Sequence, residues 1–283
     1  MYKNKLIKYL IINIILPIFL IILYVGTTAY LLLKFFNFQE LNIGFATFTV
    51  DASVNIPDIL KIFYIIVIFT INIYIAIVII RKYNENRIFL NGNIYGPSSY
   101  KWYYVAKLLG FKKISIIRKP YNIAFDLILK GDYENLEPPK ENYDCKNIIK
   151  VDDTNFNSKS KNLRECNVII EDTYPISISQ IPESKKEIDT IFIKRIEQSE
   201  KKQLGKRVSS DELVNEVVNQ IRRVLLTGAE INLFMTTSSY NTYWIINKCF
   251  MQAERDKMVV NVFQQDTKSK NKSFKDKAKT VIK

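Results

Sequence analysis

Two uncharged apolar runs in the first third of the chain constrain its fold more than any other feature. They extend from Leu10 to Leu33 and from Ile62 to Ile80, and neither contains Asp, Glu, Lys or Arg. A bilayer core of about 30 Å needs roughly 20 apolar residues in a helix. Both runs meet this requirement and predict a transmembrane helical hairpin. Asn13 and Asn72 are expected to face the partner helix or another copy of the chain.

Two other interpretations of these runs are a cleaved signal peptide and a pair of buried core helices. Three lysines precede the first run, as in a signal peptide. The run is, however, longer than the roughly 7–15 apolar residues of a signal sequence, and no small-x-small cleavage site ends it. Both runs are also apolar on all sides, whereas a core helix of a soluble protein usually has a polar face. The pattern therefore favours two spans.

The charges that flank the runs predict the orientation of the hairpin. Basic residues precede the first run and follow the second, whereas the loop from Lys34 to Asp58 has one lysine and three acidic residues. Because positive charge marks the cytoplasmic side, both termini are expected to be cytoplasmic. The abundance of Ile, Lys, Asn and Tyr suggests an AT-rich bacterial gene. These features predict a two-pass protein of the bacterial inner (cytoplasmic) membrane, with the lipid bilayer as its first partner.

The remainder of the chain is basic, and the whole chain carries a formal net charge of +13. A basic domain next to a membrane can bind anionic lipid head groups, nucleic acid or a phosphate-bearing small ligand. Part of this charge lies in the segment 267–283, which has seven lysines. With few apolar residues to bury, this segment is expected to be a disordered basic tail that the fold does not need.

The absence of histidine narrows the chemistry of the chain. It excludes Ser-His-Asp and Cys-His nucleophile systems and zinc sites with histidine ligands. The three cysteines are widely spaced, and no P-loop, GxGxxG or GxSxG motif is present. The sequence therefore predicts that the protein is not an enzyme and that it holds no metal and no cofactor.

The fold class predicted is a two-helix transmembrane hairpin (1–86) followed by a cytosolic α/β domain (87–266), which could divide into lobes at 87–196 and 208–266. Two strands, 113–118 and 123–130, are expected to form a hairpin around a Lys-Pro-Tyr-Asn turn. Further strands are expected at 148–151, 166–171 and 190–196.

The clearest pattern lies in the last third of the chain. Ser209 to Glu212 form a capping box, with Ser209 as N-cap, at the start of a helix whose apolar stripe ends before Gly228. A strand at 231–235, a helix at 240–252 and a strand at 258–263 follow. Strand, helix and strand at this spacing predict a βαβ (Rossmann-like) unit with a parallel pair of strands.

Polar residues follow the strands of this unit, where ligands bind in open α/β sheets. A phosphate or carboxylate could be held there by hydroxyls and by the free N–H groups of the next helix. The alternative is that one hydroxyl caps the helix and the others only cover the turn. The candidate ligand-binding residues are Thr236, Thr237, Ser238, Ser239 and Asn241, with Gln264 after the next strand and Asp172 and Thr173 after an earlier one.

The segments Ile231–Ser239 and Val259–Asp266 resemble the last strand-helix-strand unit of SAVED and related CARF-like domains. Those domains sense cyclic oligonucleotides in bacterial antiviral systems, and some members carry two N-terminal membrane spans, as this chain does. The resemblance implies a cyclic oligonucleotide as ligand.

The function that the two spans and this resemblance together imply is that of a membrane-anchored sensor-effector. Its cytosolic domain would bind a cyclic nucleotide messenger, form a homo-oligomer and perturb the membrane in antiviral defence, without direct DNA binding. The alternative is a structural or docking component of a bacterial membrane assembly, such as secretion or conjugation machinery.

Overall fold

A computed structural model of the chain describes residues 2–35, 56–91, 94–134, 136, 138, 140, 147–154, 156, 164–197, 207–251, 258–266, 269 and 271–283. The chain forms two compact units. The first comprises Met1–Phe89 and Lys101–Lys113, and the second comprises Leu90–Tyr100 and Ile114–Lys283. Most of the predicted extracytoplasmic loop lies outside the described residues.

The first unit is built on long apolar helices. These are α2 (Leu16–Phe35) and α3 (Ile56–Asn84); the short, lysine-containing α1 (Tyr2–Leu10) and a π-helical segment (Ile11–Ile15) precede α2. Two stretches, Asn4–Thr28 and Ile66–Asn84, are long and apolar enough to cross a bilayer. Few of their side chains are buried. This exposure is expected of helices that present apolar surface to lipid rather than to a protein core.

A polar contact joins the π-helical segment of the first membrane helix to the residues that follow α3. Asn13, in the π-helical segment, is buried, and its amide group donates to the carbonyl oxygen of Tyr9 at 2.9 Å. Its Oδ1 accepts a hydrogen bond of 2.8 Å from Nη2 of Arg87, which follows α3. A buried amide in an apolar segment is stable only with such partners. Asn13 therefore contacts protein, as its position in a span predicts.

The first unit also contains the helix α4 (Lys101–Leu108), between the short strands β1 (Ile88–Phe89) and β2 (Lys113–Ile114). The ring of Phe89 packs against those of Tyr103 and Phe111, with centroids 6.0 and 5.2 Å apart, and all three side chains are buried. Residues 101–113 thus belong to the same unit as the hairpin, and this unit extends beyond the boundary predicted at residue 86.

The second unit is a mixed six-stranded sheet with helices. Its elements are α5 (Tyr121–Lys130), β3 (Asn147–Asp152), β4 (Glu165–Glu171), β5 (Thr190–Glu197), α6 (Asp211–Leu225), β6 (Glu230–Met235), α7 (Ser239–Phe250), β7 (Val260–Phe263) and β8 (Lys279–Ile282). The strand order is β3-β5-β4-β6-β7-β8. The central strands β5, β4, β6 and β7 run parallel, and β3 and β8 are antiparallel to their neighbours at the two edges.

The predicted lobes 87–196 and 208–266 contribute strands to one sheet, because β4 pairs directly with β6. The apolar stripe of α6 is buried in the same core as these strands, with Val217 and Ile221 nearly inaccessible. The expected parallel pair of the last unit is present, with Ile231 opposite Val260 and Phe234 opposite Phe263. A closer likeness of this unit to a Rossmann fold stays a prediction.

The predicted β-hairpin at 113–118 and 123–130 is wrong. Only Lys113–Ile114 forms a strand, and Tyr121–Lys130 is the helix α5. The buried residues of α5 include Ile123, Ala124, Leu127 and Ile128, a spacing that places them on one side of a helix. Pro120 precedes the helix and Gly131 ends it with a φ of 60°, which glycine adopts without strain. The apolar run was thus helical rather than extended.

The predicted disorder of residues 267–283 is also wrong for the part that the structure describes. Lys279–Ile282 is the strand β8, paired with β7. Phe274 is 4% exposed and packs in a second core cluster with Phe234 and Phe263. Lysines suit an edge strand because they discourage further strand pairing. The few apolar residues among the lysines therefore suffice to anchor the segment.

The N-cap of α6 is Ser210 rather than the predicted Ser209. The Oγ of Ser210 accepts a hydrogen bond of 3.2 Å from the backbone N–H of Leu213. Its own backbone N–H donates to Oδ1 of Asn241 at 2.9 Å. The start of α6 is therefore tied to α7, the helix that follows the candidate ligand loop.

Candidate functional site

The predicted site residues gather at the carboxyl edge of the parallel strands. Asp172 and Thr173 follow β4, Thr236 to Ser238 follow β6, and Gln264 follows β7. Direct bonds join the first two groups, since the backbone N–H of Thr173 donates to the carbonyl oxygen of Thr236 at 2.8 Å. Parallel strands end on the same side of a sheet, which is why residues distant in sequence meet here.

A buried ion pair lies at the centre of this edge. The Oδ1 of Asp172 accepts from Nε of Arg195, on β5, at 2.5 Å, and both side chains are buried. The Oδ2 of Asp172 accepts from the backbone N–H of Ser238 at 2.9 Å and from Nδ2 of Asn241 at 2.8 Å. The carboxylate is thus fully surrounded by donors, a condition that a buried charge requires.

The hydroxyls of the loop after β6 are used within the protein. Ser238 is the N-cap of α7, and its Oγ accepts from the backbone N–H of Asn241 at 3.2 Å. The hydroxyls of Thr237 and Thr242 are 2.7 Å apart, and Thr236 donates to the carbonyl oxygen of Tyr174 at 2.7 Å. All four of the residues Thr236, Thr237, Ser238 and Asn241 are buried. Their first role in this fold is to cap α7 and to hold the strand ends together.

Three of the predicted residues remain partly accessible. Thr173, Ser239 and Gln264 are half-buried. Ser239 is the first residue of α7, a helix of 12 residues whose N-terminal end carries partial positive charge. Any ligand at this edge therefore meets these side chains and the end of the helix rather than the buried hydroxyls. Ligand binding by the predicted residues stays a prediction.

The sequence did not indicate that α5 contacts this edge. The backbone N–H of Tyr121, the first residue of α5, donates to Oε1 of Gln264 at 2.9 Å. Its hydroxyl donates to the carbonyl oxygen of Thr237 at 3.1 Å, and burial raises the pKa of this phenol. Tyr121 therefore joins the two loops that carry the candidate residues. Nothing in the local sequence pattern signalled this contact, because it links positions far apart in the chain.

Arg195 is a second residue that sequence reasoning missed, although a signal for it exists. Side chains on a strand alternate between the two faces of the sheet. Ile191, Ile193 and Arg195 therefore share one face of β5, and all three are buried. An arginine in line with two buried isoleucines requires a carboxylate partner nearby, and Asp172 at the end of the adjacent strand supplies it.

The cysteines that the structure describes are inert in character. Cys166 and Cys249 are both free and buried. Burial raises the pKa of each thiol to about 12. Because the thiolate is the reactive form, these two side chains behave as small apolar groups of the core.

Lys119, two residues before α5, is buried and donates to three carbonyl oxygens. Its Nζ lies 3.1 Å from the oxygen of Ile117 and 3.4 Å from those of Leu90 and Ile94. Burial lowers the pKa of this ammonium group to about 7. Lys119 thus holds the segment that follows residue 90 and is engaged by backbone oxygens.

This arrangement predicts a pH-dependent contribution of Lys119 to stability. Its pKa is about 7 in the folded chain against 10.5 for the free group, so the unfolded chain binds more protons between these values. Stability therefore increases with pH across this window. We expect the melting temperature of the wild type to rise relative to that of Lys119→Met between about pH 7 and pH 9.5. The exposed Lys107 provides the control, Lys107→Met; an equal trend in both variants would refute the prediction.

Comparison with known proteins identifies a matching family model and similar solved structures. The family model of the SMODS- and Ubiquitin system-associated 2TM effector domain matches residues 1–282. Among solved structures, the chain is similar to the SAVED/CARF-domain containing receptor Cap4 of Acinetobacter baumannii, in complexes with the cyclic trinucleotides 3'3'3'-cAAA and 2'3'3'-cAAA. Both matches have a TM-score of 0.37, with 9% and 8% sequence identity, and cover 66% of this chain. They cover 46% of the receptor, so this chain spans less than half of the receptor's length. No curated protein matches the chain.

Two apolar helices joined to a mixed-sheet α/β domain define a membrane protein with two spans. The chain belongs to the family of SMODS- and ubiquitin system-associated 2TM effector domains. This membership confirms the resemblance to two-span effector proteins that the sequence indicated.

Proposed function

We propose that this protein is a membrane-anchored sensor-effector of bacterial antiviral defence. Its α/β domain binds a cyclic oligonucleotide, and the bound chains oligomerise and perturb the membrane through their helical hairpins. The observation that carries this proposal is the match of a two-span effector family over residues 1–282, which includes both the hairpin and the α/β domain.

The geometry of the carboxyl edge supports an anionic ligand. The half-buried Ser239 opens α7, where the helix dipole favours a negative charge by about 0.3–1 kcal/mol. Thr173 and Gln264 are half-buried at the neighbouring strand ends. The Thr173 hydroxyl already donates to the carbonyl oxygen of Thr236, and Oε1 of Gln264 already accepts from Tyr121, so the Gln264 NH2 group is the donor that they add. The buried network around Asp172 holds these strand ends in place. In this proposal the deep hydroxyls form the floor of the site and the half-buried side chains contact the phosphates.

We further propose that both termini are cytoplasmic and that the membrane is the bacterial inner membrane. The support is the basic charge on both sides of the hairpin. A membrane-impermeant thiol reagent should label Thr47→Cys, in a chain whose own cysteines are replaced by serine, from outside intact spheroplasts. Labelling of Thr47→Cys only after the membrane is opened would reverse the topology.

The central experiment measures binding and leakage with the same protein. Full-length chain in detergent is titrated calorimetrically with cyclic di-, tri- and tetranucleotides, and full-length chain in dye-loaded liposomes is treated with the same panel. We expect one nucleotide to bind, to release dye and to shift the chain to a larger oligomer. Absence of binding to every nucleotide at high micromolar concentration would favour the alternative role as a docking component of a membrane assembly.

A charge substitution with a matched control locates the site. Ser239→Asp should preserve the fold, because an acidic residue suits the first turn of a helix. It should weaken binding of the nucleotide about tenfold or more, because it places a negative charge next to the phosphate. Asn215→Asp makes the same charge change on α6, where Asn215 contacts Lys248 at the far end of α7. Equal affinities of the two variants would place the ligand elsewhere.

A further inference from the structure

An exposed aromatic ring lies directly beside the candidate site. Tyr174 follows Thr173 at the end of β4, and its side chain is 45% exposed. Its carbonyl oxygen accepts the hydrogen bond from the Thr236 hydroxyl, so its backbone is part of the buried network of the strand ends. A large apolar ring held at this position without burial is available to a ligand, because nucleobases stack on such rings.

A lysine from the C-terminal segment is held against this ring. The Nζ of Lys272 lies 4.3 Å from the centroid of the Tyr174 ring, which is a cation–π contact. Lys272 has a φ of 52°, a left-handed conformation that is uncommon for a residue with a side chain. The backbone around it is fixed on both sides, because Gln180 donates to the carbonyl oxygen of Asn271 at 2.6 Å and the N–H of Phe274 donates to that of Gln180 at 2.8 Å.

The ammonium group of Lys272 is available to an anion. Among the residues that the structure describes, no carboxylate forms an ion pair with it, in contrast to Lys194, which pairs with Glu171 at 2.5 Å. The site thus places an accessible positive charge within reach of an accessible ring. A nucleotide presents the matching pair of features, a flat base and a phosphate.

We infer that Tyr174 and Lys272 form a nucleotide-recognition pair at the carboxyl edge. The base of one nucleotide stacks on the Tyr174 ring, and the adjoining phosphate forms an ion pair with the ammonium group of Lys272. This inference rests on the proposed function, and it assigns to the basic C-terminal segment a direct part in ligand binding.

The test compares variants of the full-length chain by calorimetry with cyclic di-, tri- and tetra-adenylates and the corresponding guanylates. Tyr174→Ala should weaken binding roughly 10- to 100-fold, whereas Tyr174→Phe, which keeps the ring, should bind nearly as the wild type does. Lys272→Asn removes the charge with a residue that tolerates a positive φ. It should weaken binding about tenfold and reduce the salt dependence of the affinity.

Lys277→Asn is the matched control, because Lys277 is exposed on the same segment. Its affinity should equal that of the wild type, and the melting temperatures of all four variants should stay close to that of the wild type. If the wild type binds a nucleotide and neither Tyr174→Ala nor Lys272→Asn weakens it more than Lys277→Asn does, the recognition pair is overturned and the proposed function stands. If the wild type binds none of the probes, the proposed function and the pair fall together.

Discussion

Replacing Asp172 with alanine should lower the free energy of unfolding by about 3–5 kcal/mol, because the variant leaves Arg195 charged and buried without its partner. The change also removes the acceptor of the Ser238 N–H and of the Asn241 amide, which hold the N-terminus of α7. For a domain of this size the melting temperature should fall by roughly 6–20 °C. Thermal unfolding of the full chain in detergent measures the effect.

Two further variants distinguish the effect of losing the buried Asp172–Arg195 ion pair from the effect of removing any carboxylate. Glu183→Ala removes a carboxylate that pairs with Lys186 on the surface, and it should change stability by less than about 1 kcal/mol. The double variant Asp172→Ala with Arg195→Met should regain part of the lost stability, since no buried charge is then unpaired. If Asp172→Ala melts as Glu183→Ala does, the ion pair does not hold the strand ends as described.

Replacing Phe274 with alanine should destabilise the chain by about 3–5 kcal/mol, the usual cost of removing a buried phenylalanine. Its ring packs edge-on against Phe234, with centroids 5.1 Å apart, and is 4% exposed. This residue lies in the lysine-rich segment that the sequence predicts to be dispensable. Thermal unfolding of the full-length variant would therefore distinguish an anchored segment from a solvated tail.

Lys277→Ala serves as the control for this experiment, because its side chain is exposed in the same segment. It should leave the melting temperature almost unchanged. Truncation after Asp266 should cost more than Phe274→Ala, since it also removes β8 and exposes the edge of β7. A truncated chain as stable as the wild type would show that the β7–β8 pairing contributes nothing to the fold.

The parts of the fold that could be predicted are those in which local pattern and tertiary contact agree. The stripe of α6 was recognisable because it buries its apolar residues at helical spacing. The strands β4 and β6 were recognisable as short, continuously apolar runs, as expected of parallel strands that are buried on both faces. In α5 the run Ile-Ala-Phe-Asp-Leu-Ile-Leu is compatible with both periods. Its helical form is decided by Pro120 and Gly131 at its ends.

The candidate site could be located but not interpreted from the sequence. The order of parallel strands brings Thr173, Thr236 and Gln264 to one edge, and this follows from topology alone. Which of the polar groups are consumed internally depends on contacts between distant segments, such as Asp172 with Arg195 and Tyr121 with Thr237. These contacts have no local signature. A cluster of hydroxyls therefore looks the same in the sequence whether it binds a ligand or caps a helix.

The π-helical segment Ile11–Ile15 changes the angular spacing of the side chains along the first membrane helix. A π turn contains more residues than the 3.6 of an α-turn, so positions before Asn13 and positions after it do not follow one helical repeat. A cysteine-accessibility scan from Lys5 to Leu23 should accordingly show two periodic patterns with a shift of phase at Asn13. Any helical-wheel alignment that treats this span as a regular α-helix will assign the wrong side chains to its lipid-facing surface.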